Sequence, residues 1–392
     1  MKVAINESTL TAIGDAIREK TETTDLIAPG SMPAAIRSIT TGGGGGSDVE
    51  LEKIDLDGKN CDSMFINNCW DDFLTKYGTT LFDTWNRVAS AQEMFQGSEL
   101  ETIPLNINVC GSGYFALSPA ASHVYMSNIF TNCKNLIEQP NIKPTPYRYS
   151  DPTQDVYISG MYQGCRKLKE IDISNWDWDS ISRYYVLYCS SMFRDCYSLR
   201  QITGLSQMKG AIKTNVPEVT GSAGEMYNYL FYNCYVLDSA VMSSCVGTLE
   251  YKNVFVSTFN NCHKLKQFRL SGGTRKWKDQ VIDLSNGVGY DNTGNCAKYL
   301  EDATKQISGD SSYNDYKNDP DCWTRNAAYS RYNKTSAAET LDSLPNTSAF
   351  GTNTIKFRGD SGSATDGGSI DTLSESQIAA AAAKGWTVTF IY

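Results

Sequence analysis

Apolar and polar positions recur along this chain in an eight-residue pattern. An apolar residue and an aromatic ring are followed by a variable residue, then by Gly, Asn or Asp, then by Cys, with Leu three residues later. Copies lie at 129–136, 161–168, 192–199, 230–237 and 258–265, and another at 94–100 has Ser98 in place of cysteine. Successive cysteine positions are 35, 32, 31, 38 and 28 residues apart. Repetition at this length predicts a solenoid, in which each unit buries its apolar face against its neighbours.

Each position of the pattern predicts a structural role. The rings suit the interior of a coil, and they are Phe95, Phe130, Tyr162, Phe193, Phe231 and Phe259. The cysteines suit a ladder of small apolar fillers at a bend, and they are Cys133, Cys165, Cys196, Cys234 and Cys262. The residues before them tolerate a left-handed backbone, and they are Gly97, Asn132, Gly164, Asp195, Asn233 and Asn261.

A short alternation of apolar residues follows several copies of the pattern. Ile171 and Ile173 alternate with polar residues, as do Phe268 and Leu270, and the apolar positions Leu100, Ile103 and Leu105 repeat the spacing. Such alternation predicts a half-buried strand. One unit is therefore predicted to be a short helical turn, a bend and a strand, with the strands stacked in parallel about 4.8 Å apart. The predicted fold class is an α/β repeat solenoid over residues 51–335.

The first 50 residues predict a different module. Leu10, Ile13 and Ile17 form one apolar stripe at helical spacing, and Ile36 and Ile39 belong to a second. Two short helices cannot bury such stripes alone, so residues 1–41 are predicted to dock on another protein or on copies of the chain. Residues 42–46 are five glycines, and their composition predicts a flexible linker over residues 42–50.

The last part of the chain, residues 336–392, predicts a capping unit. Ser374 and Gln377 form a capping box before an alanine-rich helix that should end at Gly385, and the residues from Trp386 onward alternate as a strand. Ser336 and Glu339 predict a second capping box, and residues 353–357 another strand. A solenoid needs such an end to shield the edge of its core.

Two segments resemble known families. Residues 171–177, with the run Ser190-Ser191-Met192-Phe193-Arg194-Asp195-Cys196, resemble the leucine-rich repeats of the bacterial surface-antigen (BspA) type. The resemblance implies leucine-rich-repeat coils. Residues 10–21 and 32–39, with Thr11-Ala12-Ile13 and Ala16-Ile17-Arg18, resemble the opening of many bacteriophage structural and tail proteins. That resemblance implies attachment to a virion through residues 1–41.

Charge and composition narrow the classes of partner. The net charge of −9 argues against nucleic acid, because binding phosphates requires clustered Lys and Arg. The sequence contains no run of about 18 apolar residues, so no membrane span is predicted. The first residues lack the apolar stretch of a secretory signal, which predicts a cytosolic origin. With 12 cysteines, two histidines and no Cys-x-x-Cys, neither a zinc site nor any cofactor is predicted. Reduced, buried, structural cysteines are expected, and a reactive thiol or metal ligand is the alternative.

Candidate chemistry is concentrated in a polar insertion at residues 287–335. Its aromatic residues are Tyr313, Tyr316, Trp323, Tyr329 and Tyr332. Rings among Ser, Asn, Asp and Gly are typical of binding loops, so these five are candidate receptor contacts; the alternative is that they cover the flank of the solenoid. Asp172, Asp177 and Asp179 suit either sugar hydrolysis or turn capping. With no nucleophile–base pattern, the chain is predicted not to be an enzyme.

The combined expectation is a phage virion protein, associated with a tail fibre or baseplate, that displays its repeats for host-cell recognition. Its partners would be other virion proteins, a host surface glycan or protein, and copies of itself, with a trimer expected by analogy with viral fibres. It would be assembled in the host cytoplasm. A bacterial BspA-like surface adhesin is the first alternative, and a glycan-degrading tail enzyme is the second.

Overall fold

The computed structural model describes residues 56–68, 71, 86–111, 115, 123–145, 154–179, 185–208, 227–243, 254–262, 264–271, 277–285, 333–359 and 373–392. These residues include a parallel-strand β-solenoid of about 5 turns. The predicted stacking of parallel strands is therefore confirmed. The predicted docking module 1–41 and linker 42–50 lie outside the described residues. No helix within the described segments has both the length and the apolarity needed to cross a membrane.

The described strands of the coils are short. They are β1 (Asn86–Val88), β2 (Asn106–Val109), β3 (Val124–Tyr125), β4 (Asn141–Pro144), β5 (Gln154–Tyr157), β6 (Glu170–Asp172), β7 (Tyr185–Tyr188), β8 (Gln201–Thr203), β9 (Ser239–Ser243) and β10 (Gln267–Ser271). The sheet orders are β1-β2-β4, β3-β5-β7, β6-β8 and β9-β10, and all of these pairings are parallel. Most coils thus carry strands both before and after the ring residue, where one strand per unit was predicted.

The segment around each ring is a run of overlapping β-turns. In the coil of Phe95, the N–H groups of Met94, Gln96 and Ser98 donate to carbonyls three residues earlier, at 3.3, 3.1 and 3.0 Å. The alternate N–H groups of Glu93, Phe95 and Gly97 donate to Ser127, Ile129 and Thr131 of the next coil, at 2.9, 2.9 and 2.8 Å. The predicted helical turn is wrong here, because helical bonding would use the N–H groups that join one coil to the next.

Left-handed backbone occurs where the residue types predicted it. The residue before the cysteine position has a φ of 74° at Gly97, 62° at Asn132, 75° at Gly164, 60° at Asp195, 61° at Asn233 and 62° at Asn261. A second left-handed position lies four residues earlier, at Glu93, Asn128, Gly160, Ser191, Tyr229 and Ser257. This second position was not predicted, because residues such as Glu93 and Tyr229 rarely adopt that conformation.

The rings and cysteines form the core of the solenoid. Each ring of the pattern is at most 1% exposed, and the five ladder cysteines are fully buried. The centroids of successive rings, from Phe65 through Phe95, Phe130, Tyr162, Phe193 and Phe231 to Phe259, are 5.1, 5.8, 5.4, 6.1, 5.8 and 5.7 Å apart. Coil upon coil therefore buries one continuous aromatic stack.

The strand after the pattern does not always start where the alternation predicted. It starts as expected at Ile171 and Phe268, which lie in β6 and β10. In the coil of Phe95, Ile103 and Leu105 are buried, but the strand begins only at Asn106. A tight turn, in which the N–H of Leu105 donates to the carbonyl of Ile103 at 2.9 Å, prevents an earlier start. Burial was thus predicted correctly there, and strand geometry was not.

The C-terminal part of the described chain contains three parallel strands and two helices. These are β11 (Val281–Asp283), α1 (Lys334–Ser343), β12 (Asn353–Arg358), α2 (Glu375–Ala383) and β13 (Trp386–Ile391). The capping box of Ser374 and Gln377 is confirmed, and Gly385 ends α2 with a φ of 86°. The second predicted capping box is wrong. Asn333 caps α1 by accepting from the Ser336 N–H, and Glu339 instead pairs with Arg269 at 2.6 Å.

Candidate binding surface

The five candidate receptor contacts of the polar insertion lie outside the described residues. They are Tyr313, Tyr316, Trp323, Tyr329 and Tyr332. Their role as receptor contacts therefore stays a prediction. Among the described aromatic residues, Trp176 and Trp178 belong to the core, with exposures of 4% and 3% and a centroid distance of 5.3 Å.

The described cysteines are poor nucleophiles. All eight of them are buried and free of disulfides. Burial raises the pKa of the Cys61, Cys110 and Cys133 thiols to about 12, and it raises the pKa of Cys165 and Cys234 well above the usual value. Because the thiolate is the reactive form, these groups are held unreactive at neutral pH. No cluster of His, Cys, Asp or Glu that could hold a metal ion is found among the described residues.

Asp172, one of the aspartates considered for sugar hydrolysis, caps a turn. The Asp172 carboxylate accepts a hydrogen bond from the Ser174 N–H at 2.8 Å, two residues later. This is the turn-capping geometry that Asp favours at the end of a strand. Asp172 thus takes the structural role that the sequence left open.

Three tyrosines from neighbouring coils stack in a column that runs from an exposed to a buried position. Tyr125, Tyr157 and Tyr188, here called the tyrosine column, each lie five residues before a core ring. Tyr125 and Tyr157 have centroids 5.1 Å apart and planes 9° apart, and Tyr157 and Tyr188 are 4.7 Å and 5° apart. The parallel pairing of β3, β5 and β7 holds them in register. Exposure falls along the column, from 39% at Tyr125 to 9% at Tyr188.

Polar groups flank the tyrosine column on the same two strands. The Tyr157 hydroxyl donates to the Asp155 carboxylate at 3.0 Å, and the Asp155 N–H donates to His123 Nδ1 at 3.0 Å. Nδ1 is thus a hydrogen-bond acceptor in this arrangement, which leaves the ring to donate from Nε2. The Asp155 carboxylate also lies 3.9 Å from His123 Nδ1. Burial, reinforced by Asp155, raises the pKa of Tyr157, so its hydroxyl stays a donor.

The coils before Tyr125 place short polar residues in line with the column. The Ala91 N–H donates to the Tyr125 carbonyl at 3.0 Å, which sets Ser90 opposite Tyr125, and Ser90 in turn bridges to Asn60. Asn60 and Ser90 also lie five residues before the rings Phe65 and Phe95. The Asp62 carboxylate accepts from the Ser90 hydroxyl and from the Gln92 N–H, the latter at 2.7 Å. This aligned position therefore holds a polar residue in the coils before Tyr125 and a tyrosine from Tyr125 to Tyr188.

A second aromatic group lies on the turn runs of later coils. The Arg166 guanidinium stands 5.0 Å above the Tyr197 ring, which is 5.0 Å from Tyr235. The Arg194 guanidinium lies 5.5 Å from the Tyr229 ring and 5.2 Å from the Tyr232 ring. Tyr229 is 36% exposed and left-handed, with a φ of 54°. Cation–π contacts fix this arginine–tyrosine group in place.

The tyrosine column was not predicted, although the sequence carries a signal for it. Its members share one offset from the core rings, so aligning the repeats on the ring residue would have placed them in a single line. Comparison of the chain with protein-family models, with curated proteins and with solved structures gave no match.

Proposed function

We propose that this chain is a phage virion protein, associated with the tail fibre or baseplate, whose repeats present a surface for host-cell recognition. The coils would be leucine-rich repeats of the BspA type, and residues 1–41 would join the protein to other virion proteins. The proposal is of a binding protein, not an enzyme. The observation that supports it is the contrast between a uniform core and a varied outer surface in repeats of one chain.

Comparing equivalent positions in different coils shows which residues the coil structure requires. In each copy of the pattern the two core positions hold an aromatic ring and a cysteine, except that Ser98 replaces the cysteine in one copy. The position five residues before the ring is instead Asn60, Ser90, Tyr125, Tyr157, Tyr188 or Val254 among the described residues, and it is exposed at Asn60 and Tyr125. Coils with a short polar residue there form the same turns and the same ring stack, so the tyrosines are not needed for coil formation. Exposed aromatic residues beyond the needs of folding favour a role in binding.

Several shallow contacts of this kind bind weakly when taken singly. Copies of the chain joined through residues 1–41 would engage a cell together, and effective concentration would then strengthen attachment without new contacts. This favours a homo-oligomer on the particle, with three copies proposed. The host partner is proposed to be a surface glycan or protein, reached by the solenoid and by the aromatic residues of 287–335.

The test of the proposal is immunogold electron microscopy of particles from the phage that carries this gene, with antibody raised against the full chain. Label at the tail or baseplate is the expected result. Label on bacterial surfaces in the absence of phage would favour the BspA-like adhesin. Particles without label would contradict a virion role.

A further inference from the structure

We propose that the tyrosine column and the polar rungs before it form a carbohydrate-binding site for a neutral glycan. This inference rests on the proposed host-recognition function and names its ligand class. The site comprises Asn60, Asp62, His123, Tyr125 and Tyr157.

The Tyr125 ring has one face engaged and a short neighbour on the other side. Tyr157 stacks on one face at 5.1 Å. The rung opposite is Ser90, a buried residue with 7% exposure whose hydroxyl donates to the Asp62 carboxylate. Tyr125 itself is 39% exposed, although it belongs to an ordered stack. A ligand with an apolar face can therefore pack against the exposed part of the Tyr125 ring.

Hydrogen-bonding groups surround that position. Asn60 is exposed on the rung beyond Ser90, and the Asp62 carboxylate lies between the two coils, where it already accepts from Ser90 and Gln92. On the other side, His123 lies 5.9 Å from the Tyr125 ring and offers the N–H of Nε2. A sugar has apolar C–H faces and a rim of hydroxyls, so it needs an aromatic plate with donors and acceptors at the edge.

The charges near this position favour a neutral sugar over an acidic one. Asp62 and Asp155 flank the site, and Glu93 accepts from the Ser63 hydroxyl at 3.3 Å beside it. Arg87, on the strand that leads to Ser90, is engaged by Asp57 at 2.5 Å. A uronic or sialic acid would place its carboxylate among like charges, which opposes binding.

The test is binding of the full chain to an immobilised array of bacterial surface polysaccharides that contains neutral and acidic members. The wild type should bind at least one neutral member. Tyr125→Ala should weaken that binding about tenfold or more, equivalent to about 1.4 kcal/mol, whereas Tyr125→Phe, which keeps the ring, should retain it. Phe350→Ala is the matched control, since it removes an aromatic ring of similar exposure from the segment between α1 and β12, and the affinity of this variant should be unchanged.

A second variant keeps the test decisive if Tyr125→Ala does not fold. Tyr125→Ser reproduces the residue that the preceding coil carries at this position, and it should weaken glycan binding to the same extent while the melting temperature is kept. Failure of the wild type to bind any glycan, binding of acidic members alone, or equal losses in Tyr125→Ala and Phe350→Ala would overturn the site. If the wild type still adsorbs to host cells in those cases, the site is wrong and host recognition stands. If it does not adsorb, the proposed function itself fails.

Discussion

The Cys165 thiol donates a hydrogen bond to the backbone carbonyl of Phe130, one coil earlier, at 3.1 Å. The same carbonyl accepts from the N–H of Cys133 within its own coil, at 3.0 Å. Each ladder cysteine makes the equivalent bond to the preceding ring residue: Cys133 to Phe95, Cys196 to Tyr162, Cys234 to Phe193 and Cys262 to Phe231, at 3.0, 3.0, 3.0 and 3.2 Å. The cysteine is thus both a core filler and a link between neighbouring coils.

Replacing a ladder cysteine by serine should destabilise the fold. Cys165→Ser puts a hydroxyl into a fully buried slot, and we expect a loss of about 1–3 kcal/mol in the free energy of unfolding, measured by chemical denaturation. Ser98 shows what a serine needs at this position, because its hydroxyl donates to the Asp71 carboxylate at 2.9 Å. Ser257→Asn is the control, since Asn128 already occupies that left-handed repeat position, and it should change stability by less than about 0.5 kcal/mol.

Thiol reactivity tests the same ladder through its pKa values. With a pKa of about 12, a thiol such as Cys133 is thiolate in only about one molecule in ten thousand at pH 8, so native labelling should be very slow. A pKa raised above the ordinary value of 9.0 stabilises the folded state below pH 9, and that contribution should be lost as the pH rises toward 12. Mass spectrometry after alkylation gives the measurement. Full native labelling of Cys165 would show that the ladder is exposed.

Gly164, at the left-handed position before a ladder cysteine, should not tolerate a side chain. Gly164 has a φ of 75°, and a Cβ there would approach the Asn132 side-chain oxygen to 2.6 Å. Gly164→Ala should therefore lower the free energy of unfolding by about 1–3 kcal/mol through backbone strain and this clash. Combining it with Asn132→Gly should recover the part of the loss that the clash causes. If the single variant is as stable as the wild type, the inferred contact between these coils is wrong.

The ring and cysteine spacing was sufficient to predict the solenoid because each buried position repeats in a fixed chemical environment. Gly, Asn and Asp marked the first left-handed position for the same reason. The second such position was hidden, because neighbouring coils force Glu93 and Tyr229 into it through inter-coil bonds. The cap of α1 was misassigned because Asn333 and Ser336 are both good N-caps, and the pairing of Glu339 with Arg269 depends on tertiary contacts. The tyrosine column likewise depends on register between coils that are about 30 residues apart.

The docking role assigned to residues 1–41 makes a prediction about assembly. Removal of these residues should leave a folded, monomeric protein, because the apolar stripes of Ile13 and Ile36 would be lost while the repeats are retained. Sedimentation velocity gives the association state, and circular dichroism checks the fold. A truncated chain that is still oligomeric would place the assembly contacts in the repeats or the cap.

The insertion at 287–335 makes a separate prediction about receptor contact. Alanine at Trp323 and Tyr329 should weaken binding to host cells, because large rigid rings supply much of the binding energy at such surfaces. The melting temperature should be unchanged. Unaltered cell binding would remove this segment from the recognition surface and leave the tyrosine column as the candidate.

Competition for adsorption tests host recognition most directly. Host cells are incubated with the purified full chain, then with the phage that carries this gene, and the unadsorbed particles are counted over time. We predict that the protein occupies the receptors and slows adsorption in proportion to its concentration. Adsorption at an undiminished rate, with no protein bound to the cells, would contradict the proposal that this solenoid recognises the host.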